Sequence, residues 1–81
     1  MRIAIRLLGA YARLCGEFIE LEVSKECISV DELLEALSRV CRDEIDLENA
    51  SLVVGGRPVQ SGEESVCVGE KVVVVPMGVG G

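Results

Sequence analysis

The sequence has 81 residues, a net charge of −6 and no histidine. Each of these facts argues against some classes of protein. A chain of this length forms one small domain. Because its net charge is negative, we expect no basic surface of the kind that binds nucleic acid. Histidine is the most common general acid–base and metal ligand, so its absence disfavours an enzyme and predicts no metal and no cofactor.

The first two predicted strands cover residues 2–8 and 17–23 and form an antiparallel pair. In the second strand, hydrophobic residues alternate with Glu20 and Glu22, which is typical of a strand with one solvated face. Phe18 shares that face and is interpreted as strand surface rather than as part of a site. The loop between the strands is too long for a two-residue hairpin.

A capping box predicts that the main helix begins after Ser29, because Glu32 follows three residues later. Hydrophobic residues then recur at helical spacing as far as about Arg42. Glu35 and Arg39 are placed for an i, i+4 ion pair on the solvated side. The predicted apolar stripe of the helix consists of Val30, Leu33, Leu34, Leu37, Val40 and Cys41.

The sequence pattern of the second half predicts two short strands, at 52–54 and 57–59, connected by a tight turn of two glycines. It also predicts a further strand at 71–75. That further strand is hydrophobic at every position after its first, which is typical of a central strand covered on both faces. We expect it to pair in parallel with the strand at residues 2–8. The predicted fold is an α+β roll in which a mixed sheet of four or five strands packs on one main helix.

The four cysteines, Cys15, Cys27, Cys41 and Cys67, are too far apart in sequence for a C-x-x-C zinc or thioredoxin-like motif. The number of cysteines alone does not decide whether they form disulfides. No signal peptide is evident, because Arg6 interrupts the first hydrophobic run, and no stretch is long enough to span a membrane. We therefore expect a cytoplasmic protein with free thiols and no membrane association. Cys41 is expected to act as a small hydrophobe on the helix, and Cys15 to be the most exposed thiol, without a partner.

Residues 77–81, Met-Gly-Val-Gly-Gly, follow directly on the strand at 71–75 and Pro76. Glycine has no Cβ, so such a segment can adopt conformations closed to other residues and thread a narrow channel in a partner. We therefore expect a folded domain over residues 1–76 and a flexible tail over residues 77–81. This feature alone leaves open an ordinary frayed terminus.

Several stretches of the sequence are similar to motifs of one family. Residues 2–8 and the loop 11–16 match its first strand and its aRELxG-like loop, residues 68–72 match its DGDEV turn, and residues 76–81 match its PPVxGG ending. On these residues and on its ββαββ order, the chain resembles the ubiquitin-like β-grasp sulfur carriers. These include the small subunit of molybdopterin synthase and the carrier of the thiamine pathway. The chain departs from the ending at Met77, where the family usually has a second proline.

The resemblance implies a carrier protein rather than an enzyme. A ubiquitin-activating-type enzyme would adenylate the carboxylate of Gly81 with ATP, and sulfur would then replace the adenylate to leave a thiocarboxylate. Gly80 would matter as the steric companion of Gly81, because a Cβ at either position would obstruct the partner's channel. In molybdopterin synthase the tail is inserted into the large catalytic subunit, where the sulfur passes to a pterin precursor.

Other functions remain open from the sequence. Gly81 could be joined to lysines of target proteins, as in a ubiquitin-like modifier, or the carrier could serve thiamine synthesis or tRNA thiolation. The domain could also be a plain interaction module whose Gly-Gly pair is incidental. The P-x-x-x-G-G ending and the long first loop favour the molybdopterin carrier.

A docking surface follows from the alternation of the central strands. The residues expected to face the helix are Ile3, Ile5, Leu7, Val72 and Val74. We expect Leu8, Val73 and Val75, joined by Val59, to form an outward hydrophobic patch, which suggests a partner site. The alternative is that these valines satisfy strand propensity alone. The predicted partner-binding residues are Leu8, Val59, Val73, Val75, Pro76, Met77, Gly78 and Val79.

Overall fold

The computed structural model describes residues 1–77, which form a mixed five-stranded sheet, a separate two-stranded sheet and two helices. The predicted tail residues Gly78, Val79, Gly80 and Gly81 lie outside the described residues. In chain order the elements are β1 (Arg2–Leu7), α1 (Ala10–Cys15), β2 (Phe18–Glu22), β3 (Cys27–Ser29), α2 (Val30–Cys41), β4 (Ala50–Val54), β5 (Arg57–Pro58), β6 (Ser65–Cys67) and β7 (Val72–Pro76).

The strand order of the main sheet is β2-β1-β7-β4-β5, which places β7 at its centre. β1 pairs with β2 in antiparallel fashion, with Ile5 opposite Ile19. β1 also pairs in parallel with β7, with Ile5 beside Val72, and β4 pairs with the other edge of β7 in antiparallel fashion. The predicted α+β class, the antiparallel first pair and the parallel central pair are therefore confirmed.

α2 begins where the capping box predicts. The Ser29 hydroxyl accepts a hydrogen bond from the Glu32 backbone N–H at 3.1 Å, and the Glu32 carboxylate accepts one from the Ser29 N–H at 3.2 Å. The helix stops at Arg42, which adopts a left-handed conformation with a φ of 55°. The predicted pair of Glu35 and Arg39 is present at 3.6 Å.

One position of the predicted helical stripe is wrong, because Val40 is 51% exposed. Leu33, Leu37 and Cys41 continue the buried stripe at steps of four residues, so Val40 falls at its edge. The core otherwise follows the two expected periodicities and lies between α2 and one face of the sheet. The buried residues are Ile3, Ile5, Leu7, Tyr11, Ile19, Leu21, Val30, Leu33, Leu34, Leu37, Cys41, Ile45, Ala50, Leu52, Val54, Val66, Val72 and Val74.

The central strand β7 is covered on one face only, which corrects the prediction of cover on both. Val72 and Val74 are buried in the core cluster, whereas Val73 and Val75 are half-buried on the opposite face. Within the described residues, neither Val73 nor Val75 belongs to that cluster or packs against it. The hydrophobic pattern of β7 thus continues onto a second face that the core does not bury.

Two small elements escape the sequence prediction. α1 is six residues long and lacks a side-chain cap at its start, so neither length nor capping signals it. β3 and β6 form a two-stranded sheet in which Ile28 lies opposite Val66, a pairing that only the folded chain creates. Neither α1 nor the twelve-residue α2, the helices of the described part of the chain, is long and apolar enough to cross a membrane.

The prediction of free thiols is wrong, because disulfides join Cys15 to Cys41 and Cys27 to Cys67. Cys27 and Cys67 lie directly opposite each other in the β3–β6 ladder. Cys15 and Cys41 are the last residues of α1 and α2, with Cα atoms 5.3 Å apart, a normal disulfide distance. The sequence separations of 26 and 40 residues hid both pairs, since spacing alone cannot assign connectivity.

Candidate functional site

The chain leaves the sheet at the end of β7 through Pro76 and Met77. On the β1 side, the Leu8 N–H donates a hydrogen bond to the Val74 carbonyl at 3.0 Å. On the β4 side, Pro76 lies beside Ala50, and the Met77 N–H donates to the Asn49 carbonyl at 3.1 Å. Met77, predicted as the first residue of the tail, is therefore still hydrogen-bonded to the folded body.

Gly9 lies against Pro76 where β1 leads into α1. Its φ of +62° is one that residues with a Cβ rarely adopt, and a Cβ built there would approach Pro76 Cγ to 2.9 Å. A glycine is required here for both reasons. The absence of a side chain at Gly9 lets the loop after β1 close onto the end of β7.

Tyr11 of α1 reaches the same end of β7 from the core. Its ring is 7% exposed, and its hydroxyl donates to the Asn49 carbonyl and to Asn49 Oδ1, each at 3.2 Å. Burial, with further contributions from Asp43 and Asp46, raises the pKa of Tyr11 above its ordinary value. The phenol therefore stays protonated at neutral pH and remains a hydrogen-bond donor.

The outer face of the sheet beside this exit is hydrophobic. Leu8, Val73 and Val75 are half-buried and do not pack on the core, as predicted for an outward patch. Val59 does not join them, because it packs against the core cluster, and its predicted place on the outer face is wrong. Val53 occupies that face instead, half-buried and paired directly with Val73.

The outer face continues across β1 to Phe18, which is 69% exposed. The Arg6 guanidinium stacks on the Phe18 ring, with Cζ 5.6 Å from the ring centroid. A groove of about 560 Å³ runs along this side of the sheet, lined by Phe18, Arg6 and Val73 together with Lys71 at the start of β7. The prediction that Phe18 is exposed is confirmed, and the ring extends the hydrophobic surface beyond the predicted patch.

The edge of that groove is polar and solvated. The Arg2 guanidinium pairs with Glu20 at 3.4 Å and with Glu22 at 3.3 Å. A hydrogen bond from the N-terminal ammonium and another from Arg2 lower the pKa of Glu22 below its ordinary value. Exposed ion pairs of this kind contribute little to stability, so this edge acts as a solvated border to the hydrophobic face.

Comparison with known proteins identifies the architecture. No protein-family profile and no curated protein matches the sequence. The solved structure of small archaeal modifier protein 1 from Haloferax volcanii is similar over all of both chains, with a TM-score of 0.80 and 15% identity. A candidate molybdopterin converting factor, subunit 1, from Pyrococcus furiosus is similar over 94% of this chain and 97% of its own, with a TM-score of 0.77 and 21% identity. The chain has a ubiquitin-like β-grasp fold.

A third similar β-grasp structure is the HVO 2177 protein of Haloferax volcanii, with a TM-score of 0.75, 19% identity and coverage of all of this chain and 87% of its own. Identities this low establish the fold and not the function. The function of this β-grasp protein has to be argued from its own residues.

The described part of the β-grasp domain has a hydrophobic outer face and no free thiol. All four cysteines are held in disulfides, so none is available as a nucleophile in this state. The predicted reactive residue Gly81 and its neighbour Gly80 lie outside the described residues, as do the predicted partner-binding residues Gly78 and Val79. The structure brings together Leu8, Val73, Val75, Pro76 and Met77 around the end of β7.

Two contributions to this site were missed by sequence reasoning. Val53 could have been found from alternation, because Leu52 and Val54 are the inward positions of β4. Tyr11 and Asn49 could not, because their contact joins residues 38 positions apart and depends on the tertiary fold. The only sequence feature that distinguishes Tyr11 is that it is the single tyrosine of the chain.

Proposed function

We propose that this β-grasp protein is a sulfur carrier. Its folded domain of residues 1–76 presents a tail of residues 77–81, and a ubiquitin-activating-type enzyme adenylates the carboxylate of Gly81 with ATP. Sulfur then replaces the adenylate to leave a thiocarboxylate on Gly81. The protein acts as the small subunit of molybdopterin synthase, and its thiocarboxylate donates the sulfur. The carrier itself supplies neither an acid–base group nor a cofactor.

The observation that carries this proposal is the one-sided cover of β7. The proposal is supported by a central strand that is hydrophobic on both faces yet buried on only one, since such a face suits a partner that covers Val73 and Val75. The same strand leads through Pro76 toward the Gly-Gly pair. A partner that docks on this face would lie beside the end of β7, from which the segment that bears Gly81 continues.

The chemistry explains why the carrier needs an activating partner. A carboxylate is an anion with no leaving group, so Gly81 must first attack the α-phosphorus of ATP and release pyrophosphate. Hydrosulfide supplied through the partner then attacks the acyl carbon and expels AMP. The product is a thiocarboxylate, and no electron is gained or lost in either step. Because glycine lacks a Cβ, Gly80 and Gly81 offer the least steric resistance to both reactions.

A second candidate function is protein modification, in which the activated Gly81 is joined to a lysine amine of a target protein. Its specific support is the similarity to small archaeal modifier protein 1. Carriers for thiamine synthesis or tRNA thiolation share the same activation and differ only in the acceptor. Because activation consumes ATP, the proposed location is the cytoplasm. Disulfides are uncommon in that compartment, and the two disulfides of this protein would be an exception there.

The deciding experiment incubates the purified protein with an activating enzyme, ATP and sulfide, and then measures the mass of the tryptic peptide that follows Lys71. Replacement of one oxygen by sulfur at Gly81 supports the sulfur carrier. A branched peptide joined to a lysine, formed when target proteins are added, supports the modifier. An unmodified peptide with every activating enzyme tried, together with no ATP–pyrophosphate exchange, would overturn both and leave a plain interaction domain.

A further inference from the structure

We propose that Tyr11 and Asn49 form a strap that sets the direction in which the chain leaves β7, and that both are positioning residues for the reaction at Gly81. The functional half of this proposal rests on the proposed function. The structural half concerns Met77, and it can be tested whether or not Gly81 is activated.

The topology places the strap across the strand that leads to Gly81. Tyr11 follows β1, Asn49 precedes β4, and β7 lies between those two strands in the sheet. Tyr11 belongs to the buried core cluster, and its hydroxyl reaches Asn49, which lies on the other side of β7 in the strand order. The contact therefore closes over the end of the central strand from one flank to the other.

A single carbonyl group joins the strap to the departing chain. The Asn49 carbonyl oxygen accepts the Tyr11 hydroxyl at 3.2 Å and the Met77 N–H at 3.1 Å. Any movement of Asn49 therefore moves the acceptor that holds Met77. Gly9, which follows β1, lies close to Pro76 on the other side of β7. The last residues of β7 therefore have a close neighbour on each side.

The side chain of Asn49 keeps that carbonyl in place. Its Oδ1 accepts a hydrogen bond from the Asp46 N–H at 3.0 Å, and its Nδ2 donates to the Glu44 carbonyl at 3.1 Å. The Tyr11 hydroxyl shares its proton between this same Oδ1 and the carbonyl. Asn49 is thus the point at which the loop before β4, the helix α1 and the exit of β7 are connected.

The exit direction matters because the segment beyond it is short. Gly81 lies four positions beyond Met77, and a fully extended segment of four residue steps reaches at most about 14 Å. A tilt of about 20° at Met77 would displace the far end of such a segment by about 5 Å. A segment that leaves in other directions is less often in the orientation that the activating enzyme binds, and the apparent affinity falls with that fraction.

The test compares Tyr11→Phe, which keeps the ring and removes the strap's hydroxyl, with Ser29→Ala as a matched control. Ser29→Ala also removes one hydrogen-bonded hydroxyl, at the start of α2 and away from the exit of β7. Hydrogen exchange of the Met77 and Val74 amides is followed by NMR in both variants. Adenylation kinetics with the activating enzyme give kcat and KM separately. Asn49→Ala serves as a second strap variant.

We expect Tyr11→Phe and Asn49→Ala to speed exchange at Met77 by about two- to tenfold, the range that corresponds to the net contribution of one hydrogen bond. Val74 should be unchanged. The same variants should raise KM for adenylation with little change in kcat, because the carboxylate reacts normally once it is in place. Ser29→Ala should alter neither the Met77 exchange rate nor KM.

Equal exchange at Met77 in the wild-type protein and in both strap variants would overturn the structural half of the proposal. An equal effect of Ser29→Ala on Met77 would also overturn it, because a general loss of stability would then explain the result. Altered Met77 exchange with unchanged KM would overturn the functional half. If wild-type Gly81 is never adenylated, the proposed function fails, and the exchange rates alone decide whether the strap exists.

Discussion

Cys15 and Cys41, the last residues of α1 and α2, are joined by a disulfide with their Cα atoms 5.3 Å apart. The bond ties the short helix that carries Tyr11 to the end of the main helix. Chain-entropy arguments for a loop of this size predict a stabilisation of about 3 kcal/mol. We expect the double variant Cys15→Ala, Cys41→Ala to lose about 2–4 kcal/mol of unfolding free energy in urea titrations.

The second disulfide provides the control for this prediction. Cys27→Ala with Cys67→Ala should cost a similar free energy, because its loop is of similar size, but should leave the Tyr11 environment unchanged. Tyrosine fluorescence, which reports on the single tyrosine, should change only in the first double variant. Equal unfolding midpoints for the wild type and both double variants would show that neither disulfide forms in solution.

Gly9 is the position at which a single methyl group should disturb the end of β7. Gly9→Ala adds a Cβ at a positive φ and brings it to within 2.9 Å of Pro76 Cγ. We expect a loss of about 1–3 kcal/mol, typical of a residue forced into a strained conformation. Gly16→Ala is the matched control, because Gly16 also has a positive φ but open space around it. A smaller loss at Gly16 than at Gly9, measured by thermal unfolding, would confirm the contact with Pro76.

Val75 tests whether a partner covers the outer face of β7. Val75→Asp should weaken binding of the activating enzyme by at least about tenfold, because it places a charge in a hydrophobic interface. Val40→Asp makes the same change at an exposed position of α2 and should leave affinity unaltered. Isothermal titration calorimetry measures both. Equal affinities for the two variants would remove Val75 from the partner site.

Gly81→Ala separates activation from folding. The variant should lose adenylation by more than about a hundredfold, as misplaced reacting groups do, while its melting temperature matches that of the wild type. Gly56→Ala gives the reciprocal result, because Gly56 adopts a φ of +82° in the β4–β5 turn. It should lower the melting temperature and leave adenylation intact. Normal adenylation of Gly81→Ala would disprove the proposed role of Gly81.

The capping box of α2 makes stability depend on pH. The Ser29 N–H donates to the Glu32 carboxylate and lowers the pKa of Glu32 below its ordinary value. A carboxyl group whose folded pKa is depressed stabilises the fold above its unfolded pKa, and this stabilisation is lost as pH falls through the folded pKa. Glu32→Gln should therefore flatten the decline of melting temperature between neutral and acidic pH. Gln60→Ala, which lies outside the cap and removes no ionisable group, should retain the wild-type pH profile.

Local patterns were enough to predict the elements that bear the site. The capping box at Ser29 and Glu32 located α2, and the valines of β7 indicated a central strand before its neighbours were known. Alternation assigned Val73 and Val75 to the outer face. These features are encoded within a few residues of each other, which is why a sequence reveals them.

The features that were missed depend on contacts between distant residues. Val59 follows Pro58, the last residue of β5, and packs against the core cluster, a contact that the short predicted strand at 57–59 does not reveal. The pairing of Cys15 with Cys41 requires α1 and α2 to end side by side. The contact of Tyr11 with Asn49 likewise exists only after the sheet has formed, and no periodicity records it.

The parallel pairing of β1 with β7 has a consequence for the life of the chain. Ile5 is translated before its neighbour Val72, so the centre of the sheet cannot form until β7 has been synthesised. A nascent or truncated chain that lacks β7 does not display the Val73–Val75 face. An activating enzyme that docks on that face would therefore recognise only chains in which β7 has joined the sheet, and ATP would not be used on chains that lack this strand.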